Sequence, residues 1–244
     1  MKIIISPAKK MKLYEGYPLA ISKPTLLNKS KLVLQEIKKL SFEELQIKLK
    51  CNHHIASLAY YNYLDFSFDF GSAAILSYDG IQYTYMQTKV FTQDEYSFLQ
   101  QHLVILSAFY GLVRPLDEIK PYRLEMETKL KINGQSLYEF WGEDIANFFN
   151  KEEIINLASE EYSKVVKDYA KDNKIINVYF YENVDGKFLI EKGVYCKMAR
   201  GMMVRYIAEN QINEPEALKH FNLMGYCFNA SLSNEENYIF ERIK

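Results

Sequence analysis

Residues 103–126 read LVILSAFYGLVRPLDEIKPYRLEM, and the fold turns on how this stretch is read. It opens with an apolar run, Leu103 to Leu106, bounded by the small polar Ser107. A short apolar run closed by a polar residue reads as a buried strand. Gly111, Pro115 and Pro121 then break any long helix, because proline moves its predecessor out of the helical region. Tyr110, Arg114, Asp117, Tyr122, Arg123 and Glu125 therefore fall in irregular backbone just beyond a strand. Loops past the carboxyl ends of strands are where α/β proteins usually keep their chemistry. A surface loop held by Arg–carboxylate pairs would show the same residue types.

Similar runs recur. Lys2 to Ser6 (KIIIS), Ala73 to Ser77 (AAILS) and Ile154 to Ser159 (IINLAS) are apolar and also end in serine. The first and last read as buried strands, and Ile81 to Tyr85 reads as a strand pairing back across the Asp79-Gly80 turn. If several of these are parallel neighbours, their exits gather Ser6, Lys9, Tyr110, Arg114, Arg123, Glu125, Ser159, Glu161 and Tyr162 in one crevice. A helix over residues 197–210 carries Lys197, Arg200, Gly201 and Arg205 on one side, and a glycine there permits close approach of an anion. A solvated basic face fits that pattern too.

Helices are predicted over residues 31–40 with Ser30 as cap, and over 42–49 behind the capping box Ser41…Glu44. A third runs over 53–65 with Asn52 as cap. Thr92 caps a helix through His102, and residues 135–150 form another. Residues 175–181 and 187–195 read as two strands around Val184-Asp185-Gly186, and a last strand lies near 237–242. The helices at 42–49 and 53–65 meet across Lys50-Cys51-Asn52. Such a hairpin presents N–H groups and Lys48, Lys50, Asn52, His53 and His54 to phosphate oxygens. It is equally the pattern of an ordinary αα-hairpin, and it lacks the glycines that allow close approach to DNA.

At 244 residues, 48% hydrophobic and 25% charged, the chain has the composition of a globular protein, read as a single mixed α/β (α+β) domain over 1–244. A net charge of −1 gives no global basic field, so any nucleic-acid site is a local patch. No run of about eighteen apolar residues suggests a membrane span. Cys51, Cys196 and Cys227 are far apart, with neither metal spacing nor a resolving pair, so a reducing cytoplasm is expected and a thiol peroxide sensor disfavoured. No metal or cofactor is expected, and a monomer is favoured.

The chain resembles the YaaA family of peroxide stress resistance proteins. The resemblance rests on Ile5-Ser6-Pro7-Ala8-Lys9, Tyr110-Gly111-Leu112, Arg114-Pro115-Leu116-Asp117 and Pro121-Tyr122-Arg123-Leu124-Glu125-Met126. It continues through Phe140-Trp141-Gly142, Asn156-Leu157-Ala158-Ser159, Glu161-Tyr162, Ala199-Arg200-Gly201, Phe221-Asn222 and Gly225-Tyr226. It implies a cytosolic protein that limits free iron under peroxide, with a DNA-binding helix–hairpin–helix at residues 41–66. No Glu-x-x-His pair in a ferritin-like context accounts for the iron. Two function classes follow: a largely sequence-tolerant DNA binder, or an enzyme or binder of a small, nucleotide-like anion in the Arg/Lys/Glu crevice. No nucleophile–base pair assigns a reaction.

Overall fold

The computed structural model describes residues 1–184 and 187–242. Strand β1 (Lys2–Ile5) runs through its centre. The lobe α1 (Leu27–Lys38), α2 (Phe42–Leu49) and α3 (His53–Leu64) follows, then β2 (Ser72–Ala73), α4 (Ala74–Ser77), α5 (Ile81–Met86) and α6 (Gln93–His102). The stretch at 103–126 supplies β3 (Leu103–Ser107), β4 (Gly111–Val113) and β5 (Glu118–Ile119). Next come the small hairpin β6 (Lys131–Ile132) and β7 (Gln135–Ser136), α7 (Leu137–Phe149), β8 (Ile154–Asn156) and α8 (Glu160–Tyr169). The remainder is β9 (Ile175–Val184), β10 (Lys187–Ile190), α9 (Gly193–Glu209), β11 (Tyr226–Phe228) and β12 (Asn237–Arg242).

The main sheet is mixed, in the order β11-β12-β9-β8-β1-β3-β4. Its five central strands are parallel, while β4 and β11 close the two ends antiparallel. β10 pairs antiparallel with β9 on the edge that β8 leaves free, since β12 occupies the other edge. Ile3 faces Leu103 on one side and Ile155 on the other, and Ile3, Ile4 and Ile5 are wholly buried. Burial on both faces explains an unbroken isoleucine run where a half-exposed strand would alternate. α7 and α8 pack together against β1, β3 and β4, whereas α6 packs on β1 and on α9. Right-handed crossovers leading away from β1 and β8 in opposite directions place these two groups on opposite faces.

Local signals decide many of the boundaries. Ser41 and Thr92 form capping boxes with Glu44 and Glu95, and the Asn52 side chain accepts the Ile55 N–H at 2.9 Å. Trp141 is buried, and its indole N–H donates to the Ala108 carbonyl at 2.9 Å. Gly111 holds φ +75° where an added Cβ would lie 2.7 Å from the Trp141 ring, so only glycine fits this turn.

Several expectations are corrected. The runs at 73–77 and 81–85 are the short helices α4 and α5, not strands. Short apolar runs do not distinguish the two states, and here the Ser77 hydroxyl donates back to the Ala73 carbonyl at 3.0 Å as a helical serine does. Ser30 is no cap: α1 begins earlier, and the buried Ser30 hydroxyl donates to the Leu26 carbonyl. β8 stops at Asn156, whose side chain accepts the Ala158 N–H, so Ser159 sits at the entrance of α8 rather than in a strand. Residues 193–195 belong to α9, not to a strand. β9 and β10 pair antiparallel; of the expected turn at 184–186, Val184 ends β9 and residues 185–186 lie outside the described residues.

Gly201 also plays a different part from the one expected. A Cβ there would lie 2.2 Å from the Gln82 carbonyl oxygen, so α5, and not a ligand, occupies the space beside this glycine. Gly201→Ala forces α5 off α9 and is expected to destabilise by about 1–3 kcal/mol, as overpacking does. A urea unfolding midpoint equal to wild type would show that the two helices do not make this contact in solution.

Candidate functional site

β1 leads away toward β3, and its neighbour β8 leads away toward β9. The crevice between their carboxyl ends is therefore the topological switch point, where open α/β sheets bind ligands. Two serines meet there. The Ser6 hydroxyl oxygen accepts the Ser159 N–H at 2.8 Å and lies 3.0 Å from the Ser159 hydroxyl. Beside them opens a pocket of about 370 Å³ lined by residues 6–10, 79–83, 159, 161, 162, 197 and 200. The Tyr83 hydroxyl donates to the Ser6 carbonyl at 3.0 Å and fixes one wall.

The charges around this pocket are unequally satisfied. Lys10 binds Asp79 at 2.9 Å, and the hydrogen bond from Lys10 holds the Asp79 carboxyl below its usual range. Lys9 reaches Glu125 at 3.4 Å. Lys197 and Arg200 have no ion pair among the described residues. Arg200 is the one arginine of five without a carboxylate partner there; Arg114, Arg123, Arg205 and Arg242 each have one. The Arg200 Nε is buried and unpartnered, and so is the Gln82 Nε2. Glu161 accepts the Met126 N–H at 2.9 Å, and burial raises its carboxyl above the ordinary glutamate value. Burial also pushes the Tyr83 and Tyr162 phenols well up, so both rings stay neutral.

Of the residues singled out from sequence, Ser6, Lys9, Ser159, Glu161, Tyr162, Lys197 and Arg200 line this pocket. Arg123 and Glu125 sit behind Lys9, paired at 2.7 Å around a cleft of only about 10 Å³. The remainder do not converge. Asp117 is fully buried and takes bonds from the Arg114 backbone and guanidinium and from Ser22. That pair is consumed in holding the turn after β4. Tyr110 is buried and accepts the Lys120 N–H. Tyr122 lies between the Ser107 hydroxyl at 2.7 Å and the Tyr78 hydroxyl at 3.0 Å, its phenol pushed up to about 12 by burial. Arg205 pairs with Glu209 and donates to Gln87.

A second chamber of about 380 Å³ shares Ser159, Lys197 and Arg200 with the first. It contains Ser163, Glu191 and Cys196, whose thiol is raised by burial. Glu191 binds the Tyr226 hydroxyl and Arg242, the latter at 2.9 Å, and Arg242 also stacks on Tyr195. Sequence reading missed this cluster and missed Gln82. Their positions are scattered, and residue 82 fell within a supposed strand.

The α2–α3 hairpin exposes Lys50, Asn52, His53 and His54. Lys50 itself takes the left-handed conformation at φ 48° that a glycine would otherwise supply. The His53 ring lies against Phe42, and Lys48 donates to the Lys129 carbonyl at 2.8 Å. Tyr63 of α3 bonds the Arg123 backbone twice, which ties the hairpin to the segment carrying Arg123 and Glu125. Among the described residues no group of three or more His, Cys, Asp or Glu side chains is gathered for a metal ion. No helix there is long and apolar enough to cross a membrane.

A family model described as "Peroxide stress protein YaaA" matches residues 1–232. A UPF0246 protein of Desulfitobacterium hafniense is 44% identical, with 98% of this chain and 97% of that protein covered. UPF0246 proteins of Agathobacter rectalis and Clostridioides difficile are 42% and 40% identical, covering 99% and 98% of this chain and 99% of each relative.

Glu161 gives the pocket a pH signature. Below the ordinary glutamate value of 4.5 the group is protonated folded and unfolded, and it has no effect on stability. As pH rises from that value toward the higher folded one, the unfolded chain ionises first and stability falls, levelling off once the half-buried carboxylate ionises in the folded chain. Glu161→Gln keeps an acceptor for Met126 but removes the charge. Urea midpoints measured from pH 4 to pH 8, a range of about four units, should therefore show wild type losing ground to the variant as pH rises. Parallel curves would contradict the partial burial of this carboxylate.

Proposed function

We propose, for a chain that belongs to the peroxide stress protein YaaA family, that the crevice between β1 and β8 binds a small phosphate-bearing ligand of nucleotide type. Peroxide defence is the physiological setting that the family's description supplies. The observation that carries the reading is Arg200, the one arginine without a carboxylate partner among the described residues. The guanidinium is half-buried and answered by no carboxylate there, and a phosphate would supply the missing counter-charge. Lys197 stands one helical turn away on the same pocket wall, and Ser159 brings the entrance of α8 to the same place. A helix entrance adds favourable partial charge for an anion. No catalytic step is assigned to the site.

A second reading is DNA contact at the α2–α3 hairpin, of the helix–hairpin–helix kind. It is favoured by exposed Lys50, His53 and His54 at the start of α3, with Lys50 in the left-handed turn position. The two readings are compatible, because α3 is tied to the Arg123 segment that flanks Lys9 at the pocket rim. Contact here would be to phosphates and tolerant of sequence.

Each reading has its own test. Calorimetric titration with inorganic pyrophosphate should give saturable binding, weakened about ten- to a hundredfold in Lys197→Ala/Arg200→Ala. The urea midpoint should hold, since neither residue has an ion pair to lose among the described residues; unaltered affinity would remove the crevice as the anion site. For DNA, Lys50→Ala should flatten the slope of log affinity against log salt by about one. An unchanged slope would remove the hairpin as the contact surface.

A further inference from the structure

Gln82 is 7% exposed, yet its side-chain amide nitrogen finds no partner. It lines the β1/β8 pocket. Its backbone is held by the close approach of α5 to Gly201, and a turn of the side chain brings the enclosed amide nitrogen to a ligand in the pocket. A buried amide with an unmade hydrogen bond lowers stability, and an apolar residue of the same shape would not. The pocket around it has apolar walls from Pro7, Ala8, Ile81 and the neutral rings of Tyr83 and Tyr162. Lys197 and Arg200 supply positive charge in the same pocket. Apolar walls, one glutamine side chain in the wall and adjacent cations together suit a flat hydrogen-bonding ring that carries an anion.

We infer that Gln82 reads the edge of a nucleobase, adenine being the best match, whose phosphate is held by Lys197 and Arg200. Adenine presents N7 as acceptor and its N6 amino group as donor, the pattern that a glutamine amide meets with two bonds. This inference rests on the anion reading of the crevice and adds the identity of the ligand's other half. The same base and phosphate could belong to a free nucleotide or to a residue turned out of a DNA strand.

The test titrates the full chain with AMP, GMP, CMP, UMP and inorganic phosphate. Wild type should bind AMP at least about tenfold more tightly than phosphate or CMP, the increment expected of a two-bond base contact. Gln82→Leu should lose roughly that tenfold for AMP, keep its phosphate affinity and melt no lower than wild type. Gln82→Met provides the same comparison should the leucine variant fail to fold. A lower melting temperature with the AMP preference intact would make the amide structural and overturn the inference, as would equal binding of all four nucleotides. Lys197→Ala/Arg200→Ala separates the two claims. Loss of both phosphate and AMP supports the anion site, whereas undiminished phosphate binding overturns it whatever Gln82 does. Competition by a short single-stranded oligoadenylate would assign the base to a strand, and failure to compete would assign it to the free nucleotide.

Discussion

Everything in this molecule is hung on the parallel pairing of β1 with β3 on one side and β8 on the other. Three isoleucines, buried on both faces of the sheet, hold together segments roughly 100 and 150 residues away in sequence. Such long-range pairing is entropically demanding, and burial of β-branched side chains on both faces is what offsets it. The same pairing has a geometric consequence. The chain leaves β1 toward one edge of the sheet and leaves β8 toward the other, so the backbone parts immediately beyond Ile5 and Asn156. The Ser6–Ser159 contact closes the floor of that parting, and a pocket stands above it.

Two kinds of charge then separate. Arg114–Asp117 and Arg123–Glu125 are closed pairs with their carboxylates buried or nearly so, and they brace the irregular backbone after β4. Breaking such a pair strands a buried charge, so these residues act on the fold first. Lys197 and Arg200 are held by a long helix but answered by no carboxylate among the described residues. Gly201 contributes indirectly: by admitting α5 it brings Gln82 to the pocket wall. The arrangement leaves positive charge and an unused amide in one pocket, which is the basis for reading it as a ligand site.

Much of this could be read in the residues. β-branched runs gave β1 and β3, and the capping signals at Ser41, Asn52 and Thr92 placed three helices, because those signals are local chemistry. The mixed α/β class followed from the alternation of such runs with helices. Residues 73–86 misled because Ala73 to Leu76 is too short to show a period and Ile81 to Tyr85 alternates as a strand does, and only tertiary packing makes α4 and α5 helical. Serine at the end of an apolar run had two meanings: Ser6 and Ser107 lie at strand ends, whereas Ser77 ends a helix. The gathering of Lys9, Glu161, Lys197 and Arg200 depended on strand order, which sequence does not display. Arg114 looked equivalent to Arg200, and the difference is a partner, Asp117, three residues away. Glu191, Tyr226 and Arg242 were invisible because β9, β10 and β12 had to be assembled before they could meet.

The parting between β1 and β8 is proposed as the functional surface. It is tested most directly by following backbone amide chemical shifts of the full chain while AMP is added. Saturable shifts are expected in residues 6–10, 79–83, 159–162 and 197–201, the segments that line or border the pocket. Shifts that cluster instead on residues 48–58 of the α2–α3 hairpin, with the pocket segments unmoved, would contradict it.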